Sequence, residues 1–241
     1  MKIIEKISRK ANDRHNNPAV TIAFFGDSIT EGCFDVYIDD SGKIATYVDQ
    51  ARVYHTVVKE IFGKLYPACP VNIINAGISG ANAKGSVARL ERDVISHRPD
   101  LTVVSFGSND MLGSDEGLGA FSDAMCEIVN KLVESGSEVI VMSAPMNCTR
   151  VSGMLHDKEL RDIAKRVSDN VNGGILKKYC EAARGVAKGA GVPFLDMYSR
   201  WEKLQSSGVD VDSLLENHIN HPGTEMHRYT AMLLVECMFN A

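Results

Sequence analysis

Five short apolar runs punctuate the chain, at Val20–Phe25, Val71–Asn75, Leu101–Phe106, Glu138–Ser143 and Val192–Leu195. Each has the length of a strand, and continuous apolar runs of this kind suit strands buried on both faces. The segments between them carry apolar residues at helical spacing. Tyr54, Val57, Val58, Ile61, Phe62 and Leu65 form one stripe. Ala83, Val87, Leu90 and Val94 form a second, stopped by Pro99. Leu118, Phe121, Met125, Ile128, Val129 and Leu132 form a third. A longer helical pattern runs from Asp157 toward Ala190 with a break expected at Gly173-Gly174, and a last helix is expected from Thr224, burying Met226, Tyr229, Leu233 and Cys237. Strand and helix signals in alternation predict βαβ units with right-handed crossovers. The expected architecture is one three-layer α/β domain over residues 1–241, with a mostly parallel five-stranded sheet and a lead-in over residues 1–18.

One segment breaks the alternation. Residues 33–49, "CFDVYIDDSGKIATYVD", hold a turn signal at Asp40-Ser41-Gly42 between β-prone flanks and predict an inserted hairpin walling the region after the first strand.

Composition narrows the function classes. The net charge of -5 offers no basic footprint for nucleic acid or for an anionic membrane surface. The N-terminal residues lack the apolar core of a secretory signal, and no apolar run approaches the ~20 residues of a membrane span. Six cysteines stand far apart without a C-x-x-C pair. That argues against a zinc or redox motif and for a reducing, cytoplasmic setting.

Ligand sites in open α/β sheets collect at the carboxyl ends of the strands. Here those ends carry Gly26-Asp27-Ser28, Ala76 to Gly80, Gly107 to Asp110, Ala144 to Asn147, and Asp196. A serine hydroxyl becomes a nucleophile when a base takes its proton, and His221, before Pro222 on a loop entering the last helix, is the best placed of seven histidines. Attack on an ester carbonyl also needs donors aimed at the developing oxyanion. The backbone N–H of Ser28, the N–H of Gly77 and the side-chain amide of Asn109 are the candidates, and an amide stays a donor at any working pH. Asp27 and Asp110 read as structural, and Gly80 as a turn glycine. Ser28 alone would be an ordinary helix cap. Trp201 reads as a core anchor, while Met111, Met146 and Met154 flank the proposed site. A metal site built from His218, His221 and Asp196 lacks supporting ligand spacing, so no metal is expected.

Gly26-Asp27-Ser28-Ile29-Thr30, Gly77, Gly107-Ser108-Asn109-Asp110 and His221-Pro222, in that order, resemble the four blocks of the SGNH hydrolases, the GDSL lipase/acylhydrolase family. The resemblance implies a flavodoxin-like fold and a serine esterase working on a small-molecule ester without cofactor. Ser28 would be nucleophile and oxyanion donor, Gly77 and Asn109 the other donors, and His221 the base. The mixed polarity of residues 33–49 favours a small acyl group on a polar alcohol such as a sugar.

Family members commonly carry an aspartate three residues before the histidine; here that position is His218. Three readings stay open. Asn217 or a backbone carbonyl orients His221; Glu216 reaches it by another loop path; or activity has been lost, leaving a module that binds an acylated sugar or a protein.

Overall fold

The computed structural model describes residues 1–241. Its central sheet has the order β4-β1-β5-β6-β7, from β1 (Val20–Gly26), β4 (Val71–Gly77), β5 (Leu101–Ser105), β6 (Glu138–Met142) and β7 (Phe194–Leu195). All of its pairings are parallel. β1 lies between β4 and β5, and β5 is buried along its whole length. The unbroken apolar character of these segments follows from that position.

Helices cover the sheet. α3 (Tyr54–Leu65) packs on β4 and on α10 (Thr224–Asn240), while α6 (Leu118–Glu134) and α8 (Ile175–Ala190) pack on each other and on β6. The long pattern after Asp157 divides into α7 (Lys158–Asn172) and α8, with Gly174 in the left-handed region at φ 76° between them. Trp201, in α9 (Met197–Ser206), is a fully buried core residue.

Four expectations need correction. The lead-in is a helix, α1 (Lys2–Asn12), which buries Ile3 and Ile7, and whose first N–H groups, those of Lys2 and Ile3, donate to the Glu138 carboxylate. The expected strand from Val192 shrinks to Phe194–Leu195, since Pro193 has no N–H to donate to a ladder. The stripe from Ala83 to Val94 is not one helix. It divides into α4 (Ala83–Ser86), a 3-10 turn at Val87–Arg89 and α5 (Leu90–Asp93). Gly85 and Val87 are weak helix formers, and Arg89 is drawn onto the strand ends described below. Of the three methionines expected around the site, Met111 and Met146 are in the core and Met154 is 66% exposed.

The inserted hairpin is present as β2 (Cys33–Ile38) and β3 (Ile44–Val48), paired antiparallel outside the main sheet. A four-residue helix, α2 (Ser28–Glu31), joins it to β1 and ends at Gly32, which is left-handed at φ 98°. No helix is long and apolar enough to cross a membrane.

Candidate active site

Gly26 of β1 is in register with Gly77 of β4 and with Ser105 of β5, so the segments that follow these residues share one rim. Space decides two residue identities there. A Cβ on Gly26 would lie 2.7 Å from the Ser105 carbonyl oxygen, and one on Gly77 would lie 2.1 Å from the Glu31 nitrogen. α2 is therefore seated directly on the end of β4.

Charged groups pin this rim. The Arg89 guanidinium donates to the carbonyls of Ala76 (2.6 Å) and Gly26 (2.9 Å), pairs with Asp93 (3.3 Å) and lies over the Phe25 ring. It thereby ties the last residues of β4 and β1 together. The Asp110 carboxylate accepts from the N–H of Ala83 (2.9 Å) and of Gly107 (3.0 Å), bracing the turn that carries Asn109. Asp27 caps α2 by accepting from the Ile29 N–H at 3.0 Å. Burial pushes the Asp27 carboxyl up to about 7, with nearby Asp110 adding to the effect, and burial raises Asp110 itself to about 6. Both aspartates serve the frame, as the sequence suggests.

Ser28 opens α2, and its Oγ lies 2.8 Å from His221 Nε2, both side chains being buried. The two residues are separated by 193 positions. The His221 loop is clasped on itself through the Leu215–Pro222 bridge and the Glu216 N–H to His221 carbonyl bond of 2.8 Å. It is held to the segment that follows β6 by the Cys148 N–H, which donates to the Ile219 carbonyl at 2.7 Å. Burial alone lowers His221 to about 4, so the ring is neutral over the ordinary pH range.

The oxyanion candidates differ in what their N–H groups already do. The Ser28 N–H has no acceptor in the chain. Asn109 Nδ2 donates one hydrogen to the Ala81 carbonyl (2.9 Å), which fixes the amide and leaves its second hydrogen free. The Gly77 N–H is committed to the side-chain oxygen of Asn75 at 3.0 Å. Gly80, by contrast, is left-handed at φ 75° with an N–H that has no acceptor in the chain. Its turn is held by the Glu31 carboxylate, which accepts from the Ser79 N–H (2.7 Å) and hydroxyl. Sequence reasoning passed over Gly80; the signal available was a second glycine three residues on in the same turn.

Around His221 Nδ1 the nearest group is Asn217, whose Nδ2 lies 2.8 Å away. Cys33 Sγ is 3.8 Å from the same nitrogen. Glu216 faces elsewhere, paired with Arg52 at 3.2 Å, so it does not orient the ring. His218 stands in the left-handed region at φ 58° and makes no side-chain hydrogen bond with the ring. Asp196 caps α9 through the Ser199 N–H and pairs with Arg184, which removes it from any shared site with His218 and His221.

The model of the GDSL-like lipase/acylhydrolase family matches residues 24–229. The chain belongs to that family. An acetylxylan esterase from Geobacillus stearothermophilus is 31% identical to this GDSL protein over 90 residues, 37% of the present chain and 39% of that relative. The sequence match thus spans about two-fifths of the relative's length. Solved structures show the same fold. The acetylxylan esterase from Geobacillus stearothermophilus superposes with a TM-score of 0.66 at 18% identity, covering 91% of this chain and 94% of that one. A two-domain esterase active on acetylated mannans superposes with a TM-score of 0.69 at 20% identity, covering 98% of this chain and 52% of that one. Catalytic mutants of the acetylxylan esterase have been solved at a serine, at a histidine and at an aspartate three residues before that histidine. This GDSL family member has His218 at the matching offset from His221.

Proposed function

We propose that the chain is a serine esterase, one catalytic domain that hydrolyses a carboxylic ester through an acyl-enzyme on Ser28. The observation that carries this reading is the 2.8 Å contact between Ser28 Oγ and His221 Nε2, made by residues from opposite ends of the chain. In the first half-reaction Ser28 Oγ attacks the acyl carbon while His221 takes the hydroxyl proton. His221 then returns that proton to the departing alcohol. In the second half-reaction water gives its proton to His221 and attacks the acyl carbon, releasing the acid and restoring Ser28. The N–H groups of Ser28 and Gly80 and the amide of Asn109 stabilise the oxyanion in both halves, with Gly80 in the part first assigned to Gly77.

An acetylated sugar is the substrate class best supported. The relatives include esterases of acetylated xylan and mannan. Asn109 opens onto a cleft whose wall carries Asn82, Lys84, Glu116 and Arg166, polar partners that suit a polar alcohol. The six unpaired cysteines support a reducing, cytoplasmic setting.

Ser28→Ala is expected to abolish hydrolysis of p-nitrophenyl acetate and labelling by a fluorophosphonate probe. Stability should change by less than about 1 kcal/mol, since Asp27 still caps α2. Hydrolysis by Ser28→Ala at the parent rate would refute the nucleophile. The second reading, a non-catalytic binding module, is favoured by the neutral amide beside His221. Absence of fluorophosphonate labelling in the parent protein would support it.

A further inference from the structure

The amide of Asn217 is fully committed, and the direction of each of its bonds can be read. Its Oδ1 accepts three backbone N–H groups, from Ile219 (3.1 Å), Asn220 (3.0 Å) and His221 (2.9 Å). An inverted amide would set its NH2 against three donors, so the carbonyl end must face the loop backbone. The NH2 end then points at two acceptors. One hydrogen goes to Asn220 Oδ1 (3.0 Å) and the other to His221 Nδ1 (2.8 Å). Nδ1 must accept that second hydrogen, so it carries the ring's lone pair, and the single proton of the neutral imidazole resides on Nε2. The remaining neighbour of Nδ1, Cys33, gives its thiol hydrogen to the Asp35 carbonyl (3.3 Å) and offers Nδ1 only a distant sulfur.

We propose that Asn217 is a positioning residue that holds His221 as the Nε2–H tautomer, so that in the resting site the imidazole donates to Ser28 Oγ instead of accepting its proton. This inference rests on the esterase reading and deepens it. Turnover requires the lone pair on Nε2 and the proton on Nδ1. That arrangement brings Nδ1–H against the Asn217 NH2, and inverting the amide to relieve it breaks three backbone hydrogen bonds at once. Hydrolysis therefore runs through a minor tautomer. An aspartate at 217 would keep an oxygen for the three backbone N–H groups and present its other oxygen to Nδ1. Asn220 would need only to turn its own amide to meet it.

The test joins a spectroscopic and a kinetic measurement on the full chain. In 15N-histidine-labelled protein, with the His221 signals identified by their loss in His221→Gln, the parent should show a protonated Nε2 and an unprotonated Nδ1. Asn217→Asp should reverse the pattern and raise kcat/KM on p-nitrophenyl acetate by up to roughly 10⁴-fold, the order of the loss when an asparagine replaces a triad aspartate. A protonated Nδ1 in the parent would overturn the proposal. So would a folded Asn217→Asp protein no faster than a parent whose hydrolysis depends on Ser28. If Asn217→Asp does not fold, the tautomer of the parent decides by itself. A parent with the expected tautomer and no ester hydrolysis in either form would leave the assignment standing and remove the esterase reading.

Discussion

The two shoulders of the site are fixed by different physics. On the Ser28 side, ionisable groups do the holding: Arg89 grips the carbonyls of Gly26 and Ala76, Asp110 braces the Asn109 turn, and Glu31 ties α2 to the turn of Ser79 and Gly80. On the histidine side the ring nitrogen Nδ1 meets only an amide and a thiol, and the one nearby carboxylate, Glu216, is spent on Arg52. Neutral amides position a ring as well as charges do. They cannot stabilise the cation that a ring becomes on taking a proton, and they choose which nitrogen carries the hydrogen.

Breaking the Ser28 side should have the largest structural effect. Gly77→Ala drives a methyl into the backbone of α2, with contacts of 2.1 Å to the Glu31 nitrogen and 2.6 Å to the Thr30 carbonyl carbon. The expected loss is about 3 kcal/mol, a fall in Tm of roughly 6–12 °C, with a collapse of kcat because Ser28 moves with α2. Gly80→Ala, where nothing lies within 4 Å of the new Cβ, should cost only about 1 kcal/mol from its positive φ and keep most activity, since its N–H remains. Calorimetry and initial rates on the pair separate steric crowding from the cost of a positive φ alone. Equal damage in the two would break the distinction drawn between them.

Arg89→Met should come next. It removes the guanidinium from two strand-end carbonyls, leaving that of Gly26 with the Ile78 N–H at 3.3 Å, and is expected to cost about 2 kcal/mol, lowering kcat more than it raises KM. An unchanged kcat in a destabilised protein would make Arg89 a matter of stability alone.

Acid should act on the two sides with opposite sign. Asp27, raised by burial to about 7, penalises the fold increasingly as pH climbs from its ordinary 3.8 and fully above 7. Asp27→Asn should therefore add about 1–3 kcal/mol at pH 8, a gain that shrinks on acidification and vanishes near pH 4. His221 and His227, lowered by burial to about 4 and about 3, cost nothing above 6.5 and drain stability as pH falls below it. His227→Gln should flatten that acid limb by about 1–2 kcal/mol at pH 4.5, as read from urea midpoints. Glu216→Gln, at the edge of the histidine side, should change stability by less than about 0.5 kcal/mol and kcat by less than twofold, its ion pair being exposed.

The five strands, the hairpin after Cys33 and the candidacy of Ser28 and His221 were legible because each has a local signature: an apolar run, a turn triplet, a serine or histidine at a strand end or loop. What escaped depends on where single hydrogen bonds go. Nothing in "NAGISG" says that the Asn75 side chain will occupy the Gly77 N–H and leave that of Gly80 unused. The residues between Ala83 and Val94 keep a helical period although Arg89 pulls them into a 3-10 turn, because periodicity records which face is buried and not how tightly the backbone winds. Asn217 was one of several candidates in sequence. Only the direction of its amide distinguishes holding the ring from holding it in the unproductive protonation state.

His218, three positions before His221, has a left-handed backbone and no hydrogen bond to the ring, while Asn217, one residue earlier, reaches Nδ1. Whoever restores the relatives' aspartate by counting back three positions will write it at 218, and the carboxylate will miss the ring that Asn217 already touches. In this loop a designer should copy the neighbour of Nδ1, not the column number.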